Sequence, residues 1–168
     1  MRAAARVVLT PLANVDATEF VAAAAASKKL HAPWVSPPLT VAAYRARLER
    51  TRPPDNYGFA IRRRETGALA GYVEITNIVR GTFLSGYLGY YLFSGHERQG
   101  LMSEALKQVA KYGFRKLALH RLEANIQPEN LASIALVRAC GFKREGYSPR
   151  YLKVRGRWRD HERWALLA

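Results

Sequence analysis

Apolar and polar positions follow two periods along this chain, and the places where one period gives way to the other outline its elements. Leu122, Ala124 and Ile126 alternate with Arg121, Glu123 and Asn125, the pattern of a half-buried strand. From Leu101 to Lys116 the apolar residues recur at helical spacing instead, with Leu101, Ala105 and Val109 flanked by Met102, Leu106 and Ala110. Tyr57–Arg64 and Leu69–Val79 read as a strand pair around the turn Glu65-Thr66-Gly67. Phe142–Val154 and Trp158–Leu167 read as a final hairpin around Arg155-Gly156. Upstream, Arg6–Leu12 reads as a first strand. Asp16-Ala17-Thr18-Glu19 has the form of a capping box and predicts a helix through Val21–Ala26 that ends on Lys28 and Lys29, whose charges suit a helix C-terminus. A proline-stiffened loop, His31–Pro38, leads to a helix capped by Thr40 that must stop before Pro53. The sum is an α/β (α+β) chain, a mixed sheet flanked by helices, in a single domain spanning 1–168.

Length and composition narrow the classes. A chain of 168 residues, 49% of them hydrophobic, can bury a substantial core and does not read as disordered. The single cysteine, Cys140, excludes an internal disulfide and a cysteine-cluster metal site, and its place near a helix end favours a small packed side chain over a nucleophile. His31, His96, His120 and His161 are scattered without metal-ligand spacing, so no metal is implied. The N-terminal Met1–Leu9 superficially resembles a leader, but Pro11, Asn14, Asp16 and Glu19 interrupt it before an adequate apolar region forms. The expectation is a cytoplasmic protein that does not enter the membrane. The formal charge of +14 suits a polyanionic cofactor, RNA or an anionic surface, and equally an arginine-rich chain with solvated charges.

The stretch from Gly86 to Phe142 organises the rest. It reads as a strand, a glycine-bounded loop (Gly95-His96-Glu97-Arg98-Gln99-Gly100), the helix from Leu101, a second strand, and a second helix closing on Cys140-Gly141-Phe142. A helix opening directly out of such a loop aims its free N–H groups and positive end back at the loop, where a pyrophosphate is favoured. The loop alone reads first as an ordinary strand-to-helix turn in which Gly100 supplies backbone freedom. Pro128-Glu129-Asn130, followed by Ser133, marks the start of the second helix, with Asn130 as its cap.

Together these features resemble the GNAT acetyltransferase family. The resemblance is closest to its RimJ and RimL type, the ribosomal-protein-alanine N-acetyltransferases, and to RimJ in particular. It is carried by Asn77-Ile78-Val79-Arg80-Gly81, Tyr87-Leu88-Gly89-Tyr90, Gly100-Leu101-Met102 with Glu104-Ala105-Leu106, His120-Arg121, Glu145-Gly146-Tyr147 and Trp158-Arg159-Asp160-His161. It implies a mostly antiparallel sheet with an acetyl-CoA cleft between two splayed central strands. Acetyl-CoA is then a co-substrate, held by Leu88, Gly89, Tyr90 and Tyr91 on the strand, by Arg98, Gln99, Gly100, Leu101, Met102 and Ser103 at the loop and helix, and by Asn130 and Ser133. Three positions depart from the family loop: Glu97 stands where Gln or Arg is usual, Arg98 where Gly is frequent, and Met102 where a small residue is usual.

The implied reaction transfers acetyl from a thioester to a primary amine. It requires attack geometry, stabilisation of the developing oxyanion, and proton transfer off nitrogen and onto sulfur. The family's strand glutamate is matched here by Tyr87 and its helix tyrosine by Val137, so neither standard proton group is present. Ser133 falls where RimL-type enzymes carry a serine proton donor, and it is equally a first-turn residue of the helix. Glu74, Tyr87 and Tyr151 are the candidate bases. The resemblance implies a protein N-terminal α-amine as acceptor, with a small amine or a non-catalytic binding module as alternatives. Ribosome or RNA association and a homodimer stay open. Trp34 and Tyr44 are read as acceptor-side contacts or as packing residues.

Overall fold

The computed structural model describes residues 4–168; Met1–Ala3, on which the leader-like reading partly rests, lie outside the described residues. Along the chain come β1 (Val7–Pro11), α1 (Ala17–Ala26), α2 (Lys28–His31), α3 (Val41–Arg50), β2 (Tyr57–Arg63), β3 (Leu69–Val79) and β4 (Ser85–Leu92). After them come α4 (Leu101–Arg115), β5 (Arg121–Ile126), α5 (Leu131–Ala139), β6 (Lys143–Val154) and β7 (Arg157–Leu167). All seven strands form one sheet in the order β1-β2-β3-β4-β5-β7-β6. Among its neighbours only β4 and β5 run parallel, because α4 carries the chain back across the sheet between them. Their pairing is confined to Ser85–Tyr87 against Arg121–Glu123. Beyond Tyr87 the two strands part, which is the splay the resemblance implies.

The central strands of the sheet are covered on both faces. On one, Val73, Ile75, Leu88 and Leu122 pack against Leu101, Leu106 and Val109 of α4 and Val137 of α5. The helical period read from the sequence thus faces the sheet as the apolar pattern requires. On the other, Phe20 of α1 and Tyr44 of α3 cover Ala60, Tyr72 and Phe93. The Phe20 ring lies 5.0 Å from that of Tyr44 and 5.2 Å from that of Phe93. Arg62 of β2 ties this layer down through Asp16 at 2.8 Å and Glu19 at 2.7 Å.

Two helix boundaries differ from the sequence expectation. The capping contact lies one turn earlier than Asp16-Glu19: the Ala13 N–H donates to Asp16 Oδ2 at 2.9 Å, and the Asp16 N–H returns to the Ala13 carbonyl at 3.1 Å. Arg62 claims Asp16 Oδ1 and both oxygens of Glu19, so neither carboxylate is free to cap α1. The helix also breaks at Ser27, whose hydroxyl donates to the Ala23 carbonyl at 2.7 Å and accepts from the Ser94 N–H at 2.9 Å. That second bond fixes the end of α1 to the loop leaving β4, and so places α2 beside the mouth of the splay.

Candidate active site

A cleft of about 530 Å³ opens where β4 and β5 part. Its walls are Tyr90, Tyr91 and Leu92 of β4, the start of α4 from Gly100 to Ser103, the start of α5 with Asn130 and Ser133, and Leu30, His31 and Trp34 from the N-terminal layer. Gly100 enters α4 at φ +73°, a conformation L side chains rarely adopt. Leu101 and Met102 bury their side chains in the core, at 1% and 6% exposure, and so face the cleft with backbone. First-turn N–H groups of a helix lack intrahelical acceptors, so this end can hold an anion such as a pyrophosphate.

The Glu97 carboxylate sits in the loop that leads into this helix end. It accepts the Gly95 N–H at 2.6 Å, and bonds from loop N–H groups hold its pKa below the usual carboxylate value. A negative charge is thus stabilised by the loop amides just ahead of α4. Glu97→Gln is expected to remove about 1 kcal/mol of repulsion, tightening acetyl-CoA binding about fivefold in calorimetry. Unchanged or weaker binding would mean that Glu97 lies clear of the cofactor.

Two hydroxyls meet inside the cleft: Tyr90 Oη and Ser133 Oγ lie 2.7 Å apart. The Ser133 main-chain N–H donates to Asn130 Oδ1 at 3.1 Å, which caps α5 and leaves the serine hydroxyl free for Tyr90. Burial pushes the Tyr90 phenol well above its ordinary value, so it keeps its proton. Val137, at the family's tyrosine position, is fully buried.

A carboxylate stands on the strand next to β4. Glu74 of β3 lies directly opposite Gly89 of β4, on the face that Tyr87 and Tyr91 also occupy. A Cβ at residue 89 would meet Glu74 Oε1 at 2.7 Å. The glycine therefore lets the carboxylate lie against the strand that lines the cleft. Tyr72 Oη donates to Glu74 Oε2 at 2.6 Å, and Arg47 Nη1 approaches Oε1 at 3.5 Å. Glu74 shares a polar chamber of about 520 Å³ with Arg47, Arg50, Thr51, Asn56, Thr76 and Asn77.

Tyr90, Tyr91, Arg98, Gly100, Leu101, Met102, Ser103, Asn130 and Ser133 line the first cleft. Leu88 has its side chain in the core and Gly89 lies against Glu74, and both belong to the stretch of β4 that has no β5 partner. Gln99 turns away, donating to the Gly95 carbonyl and accepting from Arg63. Tyr87 neighbours Glu123 and Tyr151, and burial raises its pKa, which makes a phenolate base unfavourable. The Tyr151 ring stands 6.3 Å from that of His161. Trp34 lines the cleft, whereas Tyr44 is wholly buried and donates to the Ala13 carbonyl at 2.8 Å. Sequence reasoning missed His31, whose Nε2 pairs with the Leu92 carbonyl at 2.7 Å while its Nδ1 is buried without a partner. Its position beside a proline-rich loop offered no spacing signal.

The GNAT acetyltransferase domain model matches residues 6–143, and the chain belongs to this family. It is 36% identical over 124 residues to the probable N-acetyltransferase YjcK of Bacillus subtilis, covering 74% of this chain and 67% of that protein. It is 41% identical over 98 residues to the [ribosomal protein uS5]-alanine N-acetyltransferase of Escherichia coli, covering 58% of this chain but only 50% of the relative. The structure of Mycobacterium smegmatis RimJ in complex with CoA-disulfide superposes with a TM-score of 0.87 at 29% identity, covering 96% of this chain and 82% of the other. The mostly antiparallel, splayed sheet implied by the resemblance is the fold observed.

Proposed function

We propose that this protein transfers the acetyl group of acetyl-CoA to a primary amine, and that its acceptor is the α-amine of a protein N-terminus. The observation that carries the acceptor choice is the charge around Glu74. One carboxylate stands there with two arginines, Arg47 and Arg50, in the chamber beside the cleft. Such a site carries net positive charge, which favours an amine that can arrive neutral, as an N-terminal α-amine can, and repels a polyamine, which brings several cations. The relatives named for ribosomal-protein alanine acetylation support the same choice. A polyamine is the competing acceptor, since a spermidine N-acetyltransferase of Vibrio cholerae shares the fold at 19% identity, a likeness of fold alone.

The residues present fit the co-substrate. The β5-facing edge of β4 beyond Tyr87 has no strand partner there, which suits the amides of a pantetheine arm, and the α4 N-terminus suits its pyrophosphate. Gly100, Leu101, Met102 and Ser103 would hold the phosphates, with Tyr90, Asn130 and Ser133 along the arm. Bound acetyl-CoA supplies the thioester, so that an N–C bond replaces an S–C bond. Glu74 takes the proton lost by the acceptor nitrogen, directly or through water. Ser133 Oγ delivers a proton to sulfur, and Tyr90 Oη, 2.7 Å away, relays a replacement to the serine as it takes up a proton from solvent in turn. An N-terminal amine has a pKa of roughly 7.7–8.0, so part of it is already neutral near physiological pH. Among the described residues no helix is long and apolar enough to cross a membrane. A cytoplasmic location, RNA contact and a homodimer belong to the proposal.

The test is turnover of three acceptors: a peptide beginning with alanine, the same peptide blocked at its α-amine but retaining a lysine, and spermidine. The free α-amine is expected to react fastest, with a rate rising through its own titration. Faster turnover of the blocked peptide or of spermidine would replace the α-amine assignment.

A further inference from the structure

The chamber beside Glu74 contains more cation than its carboxylate requires. Arg47 stacks its guanidinium 5.7 Å from the Tyr72 ring centre, reaches Glu74 only at 3.5 Å, and keeps Nε buried with no partner. Tyr91 Oη is also buried without a partner. Buried groups of this kind are normally paired in folded proteins, so both are open to a partner from outside the chain. Arg50, one helical turn further on, is exposed and has no ion pair among the described residues. The nearest acidic neighbour in sequence, Glu49, is taken by Arg52 at 2.6 Å.

Polar groups of β3 and of the loop before β2 complete the chamber wall. The β3–β4 register breaks between Thr76 and Val79, and Asn77 sits at φ +50° in the break. Its N–H is held by Asn56 Oδ1 at 2.9 Å, which leaves the Asn56 amide nitrogen free as a donor toward the chamber. Arginines in the last turn of a helix also offset its dipole. That role alone needs neither a chamber nor an unpaired Nε.

We infer that this chamber receives the first residues of the acceptor polypeptide, and that Arg47 and Arg50 select an acidic side chain directly behind the reacting amine. The inference rests on the α-amine reading above. Glu74 meets the amine, Asn56 meets the backbone, and the arginines meet the carboxylate of the second residue. A lysine at that residue would bring a cation against two guanidinium groups, so selection works by repulsion as well as attraction.

Three peptides with a common tail, beginning Ala-Glu, Ala-Ala and Ala-Lys, would be compared by kcat/KM at saturating acetyl-CoA, using the wild-type chain, Arg50→Glu and Arg50→Gln. The wild type is expected to prefer Ala-Glu over Ala-Lys by about tenfold or more at low salt, with the preference shrinking as salt screens it. Arg50→Glu is expected to reverse the order, and Arg50→Gln to flatten it. The ratio between peptides cancels any general change in activity. Equal kcat/KM values, or a preference that survives both substitutions, would overturn the inference while leaving the α-amine reading intact. Turnover of spermidine but of none of the three peptides would overturn the α-amine reading, and the inference with it.

Discussion

Ser133→Ala is expected to lower kcat by about 100- to 10,000-fold, the usual contribution of a positioned acid or base, while acetyl-CoA affinity changes little. The substitution is unusually clean here. The α5 cap runs from the Ser133 main-chain N–H to Asn130 Oδ1, so alanine keeps it and only the hydroxyl is lost. What remains is Tyr90 Oη without its 2.7 Å partner, a stability cost of about 1–3 kcal/mol. Tyr90→Phe separates the roles further. If Tyr90 replenishes the Ser133 proton, it should lower kcat by itself, and the double variant should be no slower than Ser133→Ala, because residues that act as a unit are not additive. Unaltered kcat in Ser133→Ala, with only a lower melting temperature, would reduce the pair to a packing contact.

The elements were legible because they depend on local period. The α4 stripe and the β5 alternation each follow from one face being buried, and the structure buries those faces. The boundaries that shifted were decided by partners distant in sequence. Arg62 draws off Asp16 and Glu19, and Ser94 holds the Ser27 hydroxyl, neither of which a local capping rule can foresee. The site divides the same way. Gly100, Asn130 and Ser133 carry motif spacing and stand together in the cleft. Glu74 could be named as a carboxylate but not located, because its place depends on the β3–β4 register that sets it opposite Gly89. His31 and the Tyr90–Ser133 contact had no signal of either kind.

Gly100→Val is expected to abolish the stabilisation that acetyl-CoA gives. With wild type at a hundredfold excess of ligand over its dissociation constant, that stabilisation is about 2.7 kcal/mol and is read as a thermal shift. Valine fails at residue 100 for two reasons. At φ +73° a β-branched side chain is strained by about 1–2 kcal/mol, so the loop turns its amides out of place. A Cβ would also stand 2.9 Å from Arg6 Nη2, in a guanidinium anchored to Glu104 and to the Gln99 carbonyl, so the neighbour that must yield is itself tied to the loop and α4. Gly67→Val is the matching control. Gly67 has φ +72°, nothing within 4 Å of an added Cβ, and a place in the β2–β3 turn away from the cleft. It carries the same backbone strain and should lower the melting temperature of the free protein while keeping the full ligand shift. Loss of the shift in both variants would mean that global destabilisation, not the α4 entry, governs binding. Retention in both would show that the cofactor phosphates are held somewhere other than the N-terminus of α4.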